Sequence, residues 1–439
     1  MLRLYNALLP GARLGLEVAA GFRPKIAAGL RGRRGLAERL AALGRSAAGN
    51  LVWMHSASVG EYEQARPLAA LVRRHRPDLA VLHTFFSPSG HEYARRLGEA
   101  EHLEYLPADG RREVDAVLEA LQPRALVFLK FDLWPNLIVA AARRGVPVLL
   151  FDATLHAGSW RSRWPARDLY RTLYRHLDLI SAVSPADAAR FRALVPGHAA
   201  IHVDGDTRFD QVVRRRSEAR RVGLVPALGA APRPFTLVAG STWPADEERL
   251  LPAWRQLLGA AGGGQPVPRL VVVPHEPTAA HLQGIEARLR RLELRGRRYS
   301  ELESGAGLAG EVVVVDRVGI LAELYAVGDI AYVGGAFGTG VHNLLEPAVA
   351  GLPQLFGPRH GNAPEAALLL DAGAAAVIRS ALDLGRRLET WRHDTVQRRR
   401  AGEAAQATVL AHRGATERCW ERLAAFLGPA RPRREESPP

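Results

Sequence analysis

Val52-Trp53-Met54-His55-Ser56-Ala57-Ser58-Val59-Gly60-Glu61 opens with a short apolar run that reads as a buried strand, and closes on a loop of small residues. Residues 63–75 then carry apolar side chains at 3.6-residue spacing, so the whole stretch reads as strand, loop and helix. The same alternation continues outward. Apolar runs at 80–84, 125–129, 146–151 and 179–183 read as further buried strands, each separated from the next by a helical pattern. That is the signature of a parallel α/β sheet. Around 211–234 the texture changes to an arginine-rich and then Gly/Ala/Pro-rich stretch, after which strand patterns resume at 235–239, 269–273, 312–315 and 330–333. The expected fold is therefore two facing Rossmann-like, doubly wound domains: an N-terminal domain over 31–215, a linker over 216–234 and a C-terminal domain over 235–427. A helical segment over 1–30 precedes them, a flexible surface loop is expected at 259–268, and 428–439 reads as a disordered tail. Two such domains place a ligand cleft at the carboxyl ends of their strands.

The chain's 439 residues suit two domains, and 47% apolar against 24% charged residues is a globular composition. A single cysteine, Cys419, excludes an internal disulfide and a thiolate-rich metal site. The net charge of +14 favours anionic partners. Of the 59 basic residues, however, only Lys25 and Lys130 are lysines, and such lopsidedness reads as coding bias rather than selected phosphate contacts. The arginine clusters lack interleaved aromatics or a helix-turn-helix pattern, so nucleic acid is not an expected partner. Residues 1–20 are broken by Pro10 and carry Arg3, Arg13 and Glu17, too interrupted for a membrane span. With a basic flank at Arg23, Lys25, Arg31, Arg33 and Arg34, the segment reads as an interfacial helix or as an ordinary amphipathic helix packed on the domain.

Four groups carry chemistry. The loop with Ser58 and Gly60 precedes a helix whose first N–H groups and dipole favour an anion. Glu61 at that helix start serves either as a capping glutamate or as a general base whose pKa is raised by burial. Ser56-x-Ser58-x-Gly60 also resembles a nucleophile elbow, with Ser58 as nucleophile, although its first position is not glycine. Asp132, in Phe131-Asp132-Leu133-Trp134-Pro135-Asn136, is a cleft residue or a loop anchor. Gly240-Ser241-Thr242, with Asp246-Glu247-Glu248 in the next helix, and Pro274-His275-Glu276-Pro277 suit phosphate or nucleotide contact. In the stretch from Gly334 to Pro347, glycines including Gly338 and Gly340 clear space for a ligand, and His342, Asn343 and Glu346 follow. Glu346, about one turn into a helix, suits a bidentate grip on ribose hydroxyls. Neither the G-x-G-x-x-G nor the Walker pattern is present. Asp204-Gly205-Asp206 imitates a D-x-D metal clasp but lies just before the linker, and His275 and His281 miss the zincin spacing, so no metal is expected.

Taken together, the sequence resembles the 3-deoxy-D-manno-octulosonate (Kdo) transferases of the GT-B class over about residues 31–410. The resemblance rests on His55 to Glu61, Thr84 with Ser87-Pro88-Ser89-Gly90, Leu133-Trp134-Pro135-Asn136, Gly205-Asp206-Thr207-Arg208-Phe209-Asp210, Gly240-Ser241-Thr242, Pro274-His275, Gly334 to Pro347, and Gly357-Pro358 with Asn362 and Glu365. It implies an inverting, metal-independent transfer of Kdo from CMP-Kdo to a phosphorylated lipid A precursor at the cytoplasmic face of the inner membrane, with no cofactor. It implies Glu61 as catalytic base, Asp132 in the place of a second acid, Glu346 on the CMP ribose, and Asn362 in the donor site. In-line displacement needs the base in one domain and the leaving group in the other. The departing phosphate would be met by helix-start amides near Ser241 and Thr242, with Arg208 and His275 as side-chain donors.

Three positions depart from the family pattern. Asp152-Ala153-Thr154-Leu155-His156 stands where the family has Asn-Ala-Arg-Leu-Ser, Asp132 replaces a glutamate, and Val341 replaces the second glycine of Gly-Gly-His-Asn. These bear on the acceptor more than on the donor. The alternatives are a GT-B enzyme with another nucleotide sugar, such as an epimerase, a non-catalytic lipid-binding relative, and a serine esterase built on Ser58.

Overall fold

Parallel strands need crossovers of a dozen or more residues, and the helix-patterned segments supply them. In the computed structural model, which describes residues 1–198, 200–222, 228, 234–259, 266–303 and 312–429, the first sheet contains β1 (Leu51–Ser56), β2 (Ala80–Phe85), β3 (His102–Tyr105), β4 (Ala125–Leu129), β5 (Val148–Ala153), β6 (Leu179–Ala182) and β7 (Ile201–Val203). They run all parallel in the order β3-β2-β1-β4-β5-β6-β7. The second contains β8 (Thr236–Thr242), β9 (Arg269–Pro274), β10 (Gly296–Arg298), β11 (Val312–Val314), β12 (Ile330–Val333), β13 (Gln354–Phe356) and β14 (Ala375–Val377). Its order is β10-β11-β9-β8-β12-β13-β14, again all parallel. Both are doubly wound sheets, as the alternation of apolar runs and helical patterns requires.

Central strands are covered on both faces, which is why they read as unbroken apolar runs. Leu51 and Trp53 of β1 enter one core cluster while Val52 and Met54 enter the cluster on the opposite face. Five short strands carry no such run: β3, β7, β10, β13 and β14 have three or four residues each. Gly296-Arg297-Arg298 is a strand only because its backbone pairs with β11, so side-chain periodicity could not reveal it.

The chain divides into two units, one of Met1–Gln211 with the chain's end from Arg413, the other of Val212–His412. Two expectations change as a result. The helix Ala415–Leu427, assigned by pattern to the second domain, buries Cys419, Leu423 and Leu427 against Val52 and Met54 of the first. Asp210 fixes its start by accepting the N–H groups of Gly414 and Thr416 at 2.7 and 2.8 Å. The helix Arg208–Val222 continues without a break into the segment expected as linker. The rest of that linker at 223–227 and 229–233, residues 260–265 of the expected loop, and the expected tail from 430 lie outside the described residues.

At the amino terminus, one continuous helix, Leu2–Ala20, passes through Pro10 rather than breaking there. An interior proline costs a helix about 3 kcal/mol, and tertiary bonds tie this one down. Tyr5 donates to Asp109 at 2.8 Å and Asn136 donates to Asn6 at 2.7 Å. Among the described residues no helix is long and apolar enough to cross a membrane.

Candidate functional site

In the first sheet the winding direction reverses between β1 and β4, and a doubly wound sheet binds ligands outside the carboxyl ends of its strands at such a point. Those two ends deliver His55, Ser58 and Glu61 on one side and Lys130 and Asp132 on the other. Ser58 is extended and starts the helix Val59–His75, of which Glu61 is the third residue. The Ser58 N–H and Oγ–H both donate to Glu61 Oε2, at 2.9 and 3.2 Å. Glu61 is thus a capping glutamate in its geometry. It is also buried, and burial raises its pKa above the ordinary glutamate value, with the Asp132 charge adding to the rise. Lys130, the Ser58 N–H and His55 act in the opposite direction. The two readings of this residue are compatible: the cap fixes the carboxylate, and the surroundings make it more basic.

His55 is buried beneath Asp132. Its Nε2 lies 3.1 Å from Asp132 Oδ2, and its Nδ1 lies 3.0 Å from Thr84 Oγ1. Trp134 Nε1–H donates to the same Asp132 oxygen at 3.0 Å, and Trp53 Nε1–H donates to Thr84 at 2.8 Å. Asp132 is therefore anchored and still part-exposed. Lys130 was not singled out by pattern. Its backbone adopts φ +58°, its N–H is held by the Phe151 carbonyl at 2.9 Å, and its charge lowers the pKa of both Glu61 and Asp206. The available signal was its rarity: it is one of two lysines in an arginine-dominated chain.

Ser58 and Gly60 are exposed, and a Cβ built at Gly60 meets nothing nearer than Ser58 Oγ at 3.9 Å. There is room for a ligand at this loop. An elbow nucleophile sits on a strained turn, whereas Ser58 is in extended backbone at φ −140°. Arg208, expected among the donor contacts, lies in the first unit with Nε and Nη2 on Asp206 Oδ2 at 2.8 and 2.7 Å. The neighbouring Asp204 is buried with Arg422 at 3.6 Å.

In the second sheet the order reverses between β8 and β12. Their ends touch through backbone: a Cβ at Gly334 would lie 2.3 Å from the Ser241 carbonyl oxygen, so only glycine fits. Ser241 itself takes φ +53° at a bulge in β8, a conformation that is costly for a side-chain-bearing residue. Asp246 locks the junction. Its Oδ2 accepts the N–H groups of Trp243 and Gly335, each at 2.9 Å, and its Oδ1 accepts the Tyr332 hydroxyl at 2.8 Å. The expected helix-start amides are thereby partly committed, since the Trp243 N–H goes to Asp246 and Pro244 has none. Thr242 is fully buried and donates its hydroxyl to Glu247 at 3.1 Å.

The glycine-rich loop is held in shape from outside. Asn362 clamps Val341, accepting its N–H at 3.1 Å and donating to its carbonyl at 2.8 Å. Gly340, at φ +144°, leaves no space for a Cβ, which would lie 2.5 Å from the Asn362 side-chain oxygen. Arg359 donates to the Gly338 carbonyl at 2.7 Å. Asn343 accepts the Leu345 N–H at 3.0 Å and so turns the chain into the short helix Leu345–Val349, where Glu346 accepts from Arg215 at 2.7 Å. His275, by contrast, is exposed and stacks on His342 with centroids 4.1 Å apart and on Trp243 at 5.1 Å. Trp243 Nε1–H donates to His342 Nε2 at 2.9 Å, and burial, with His275 beside it, pushes the His342 pKa down to about 4. Sequence reasoning named the loop and its ends but missed this ring stack and the part played by Asp246.

The family model described as 3-Deoxy-D-manno-octulosonic-acid transferase (kdotransferase) matches residues 32–211. The chain is 32% identical over 394 residues to a 3-deoxy-D-manno-octulosonic acid transferase of Bordetella pertussis, covering 86% of this chain and 87% of that protein. It is 27% identical over 381 residues to the protein of that name from Haemophilus influenzae, covering 86% and 87%. Among solved structures, a UDP-GlcNAc 2-epimerase from Neisseria meningitidis superposes with a TM-score of 0.61 at 14% identity, over 85% of this chain and 100% of that one. MurG from Acinetobacter baumannii gives 0.52 at 17% identity, over 86% and 99%. These structural likenesses carry the fold, two doubly wound domains of the GT-B class.

Proposed function

The chain belongs to the 3-deoxy-D-manno-octulosonic acid (Kdo) transferases, glycosyltransferases of lipopolysaccharide biosynthesis, and on that premise we propose that it moves Kdo from CMP-Kdo to a phosphorylated lipid A precursor by a metal-independent, inverting displacement with Glu61 as base. One observation carries the assignment of the base. Glu61 is a buried carboxylate of raised pKa, fixed by Ser58, at the carboxyl end of β1 beside an exposed loop with room for a ligand. A base works best when its pKa approaches the working pH, and burial moves Glu61 in that direction.

In this reading Glu61 takes the proton of an acceptor hydroxyl as that oxygen forms a bond to the anomeric carbon of Kdo. The bond from that carbon to the CMP phosphate breaks, its electron pair leaves with CMP, and the configuration inverts. Asp132 orients the acceptor and, by its charge, keeps Glu61 basic. In the second unit the loop clamped by Asn362, Gly338 and Gly340 shapes the donor pocket. The exposed His275 meets the phosphate, and Glu346, near the start of its helix, takes the ribose by exchanging its bond to Arg215. Ser241 contributes through the strained end of β8, while Thr242 acts through the backbone because its hydroxyl is committed. The exposed Leu4, Leu8, Leu14 and Val18 of the first helix, with Phe22 after it, suit the inner-membrane surface where the acceptor resides.

The test is CMP release from CMP-Kdo with a lipid A precursor and EDTA present throughout, comparing wild type with Glu61→Gln. Acceptor-dependent release that persists in EDTA and collapses in the variant is the expected result. A folded wild-type protein that releases no CMP from CMP-Kdo with any of several lipid A-like acceptors would refute the proposal.

A further inference from the structure

Arg161 is a buried cation held by neutral groups alone. Only 6% of it is exposed, and no carboxylate among the described residues lies within ion-pair distance. Its three side-chain hydrogen bonds are long: Nε to Ser159 Oγ at 3.3 Å, Nη1 to the Tyr174 hydroxyl at 3.4 Å and Nη2 to the Thr154 carbonyl at 3.3 Å. Arg33 offers a contrast, being also without a carboxylate but donating at 2.9, 3.0 and 3.2 Å to three backbone carbonyls. A guanidinium has five N–H donors, and an enclosed charge without an opposite charge is costly. Arg161 is therefore arranged for an acceptor stronger than any neighbour it has.

Its surroundings indicate what that acceptor is attached to. The guanidinium stacks on Phe131, 4.8 Å from the ring centroid, and Phe131 immediately precedes Asp132. Tyr170, whose hydroxyl has no hydrogen-bond partner among the described residues, is influenced by the charges of both Arg161 and Asp132. Trp160 packs edge-on against Tyr170 at 5.3 Å. Phe131, Trp160 and Trp164 are all exposed. A cation at the base of an exposed aromatic rim suits an anionic group carried on a sugar, with the rings against the sugar's apolar face and the guanidinium forked onto the anion.

We infer that Arg161, with the Tyr170 hydroxyl, binds a phosphate group of the acceptor and thereby sets the acceptor sugar beside Asp132. The inference rests on the transferase reading for its substrate. Arg161 holds the acceptor without touching the reacting atoms, so it is a binding and positioning residue.

The experiment compares wild type, Arg161→Gln and Arg161→Lys on the phosphorylated lipid A precursor and on the same acceptor after phosphatase treatment. The preference for the phosphorylated acceptor, as a ratio of kcat/KM, should fall at least about tenfold in Arg161→Gln, with Arg161→Lys between the two because it keeps charge but loses the fork. A ratio within about twofold of wild type overturns the inference. So does a loss confined to KM for CMP-Kdo, which would assign the anion to the donor. A second measurement does not depend on turnover: the Tm of each protein in inorganic phosphate against chloride at equal ionic strength. Phosphate should raise the wild-type Tm by more than that of Arg161→Gln, and equal shifts overturn the site even if the protein transfers no Kdo.

Discussion

His55 Nε2 and Asp132 Oδ2 lie 3.1 Å apart, at the end of a hydrogen-bond chain that runs from Trp53 through Thr84. A carboxylate oxygen only accepts, so His55 Nε2 carries the proton of that bond, while Trp53, which can only donate, occupies one of the two lone pairs of Thr84 Oγ1. Trp134 adds a second donor to the same Asp132 oxygen, and the Nδ1 side of the ring meets the Thr84 hydroxyl. Through that Nε2–H the ring orients a carboxylate. Ring 15N shifts of His55 should show the proton on Nε2. His55→Phe, which fills the space but removes both bonds, should lower stability by about 1–3 kcal/mol and activity by about tenfold or more. Unfolding in urea and kcat together check this, and a ring without a proton on Nε2 would refute the bond to Asp132.

Glu61 offers a way to separate cap from base. Gln at this position still accepts the Ser58 N–H, so Glu61→Gln should keep wild-type stability while losing about 10²–10⁴ in kcat. Glu61→Ala loses the cap as well and should be destabilised by about 1 kcal/mol. Equal stability of the two variants would mean that the Ser58 bond is worth nothing in solution.

The charges flanking Glu61 should show in the pH profile. A base works only when deprotonated, so kcat/KM falls on the acid side as Glu61 takes up a proton. Asp132 raises the Glu61 pKa and Lys130 lowers it. In Asp132→Asn the acid limb should therefore move to lower pH, and in Lys130→Met to higher pH. Limbs that move together, or not at all, would remove Glu61 from the role of base.

The fold was legible where both faces of a strand are buried, because Val52 to Met54 or Ile330 to Val333 must then be apolar throughout. It was illegible where pairing alone makes the strand, as at Gly296–Arg298, and where a helix returns to an earlier unit, as Ala415–Leu427 does through Cys419 and Leu423. The same division runs through the site. Glu61 and the glycine loop announce themselves by local spacing. The Asp246 junction and the Trp243–His275–His342 stack join distant segments, and no local pattern marks them.

Asp246 ties β8 to β12 through three donors, so its loss should act on the donor rather than on the acceptor. Asp246→Ala leaves the Trp243 and Gly335 amides and the Tyr332 hydroxyl without their acceptor. Each buried orphan costs about 1–3 kcal/mol. The expected result is a marked loss of stability, and in protein kept folded at low temperature a raised KM for CMP-Kdo with KM for the acceptor unchanged. A change confined to the acceptor would contradict the placement of the donor in the second unit.

Asp152 makes stability depend on pH in a direction opposite to that of most carboxylates. It is fully buried at φ +51°, and burial, with the Asp206 charge near it, pushes its pKa up to about 7. The Thr207 hydroxyl lies 2.5 Å from Asp152 Oδ2 and 3.0 Å from the Gln64 carbonyl, and one hydroxyl proton cannot serve both. A protonated Asp152 resolves this by donating to Thr207, which then donates to Gln64. Because the folded pKa exceeds the unfolded value of about 3.9, folding takes up a proton. The stabilisation is complete below that unfolded value and is lost as pH rises through about 7, at up to about 1.4 kcal/mol per pH unit. Asp152→Asn donates to Thr207 at every pH, so the difference in Tm between variant and wild type should grow from pH 4 to pH 7 and then level off. Parallel Tm curves across that range would mean that Asp152 is ionised in the folded protein.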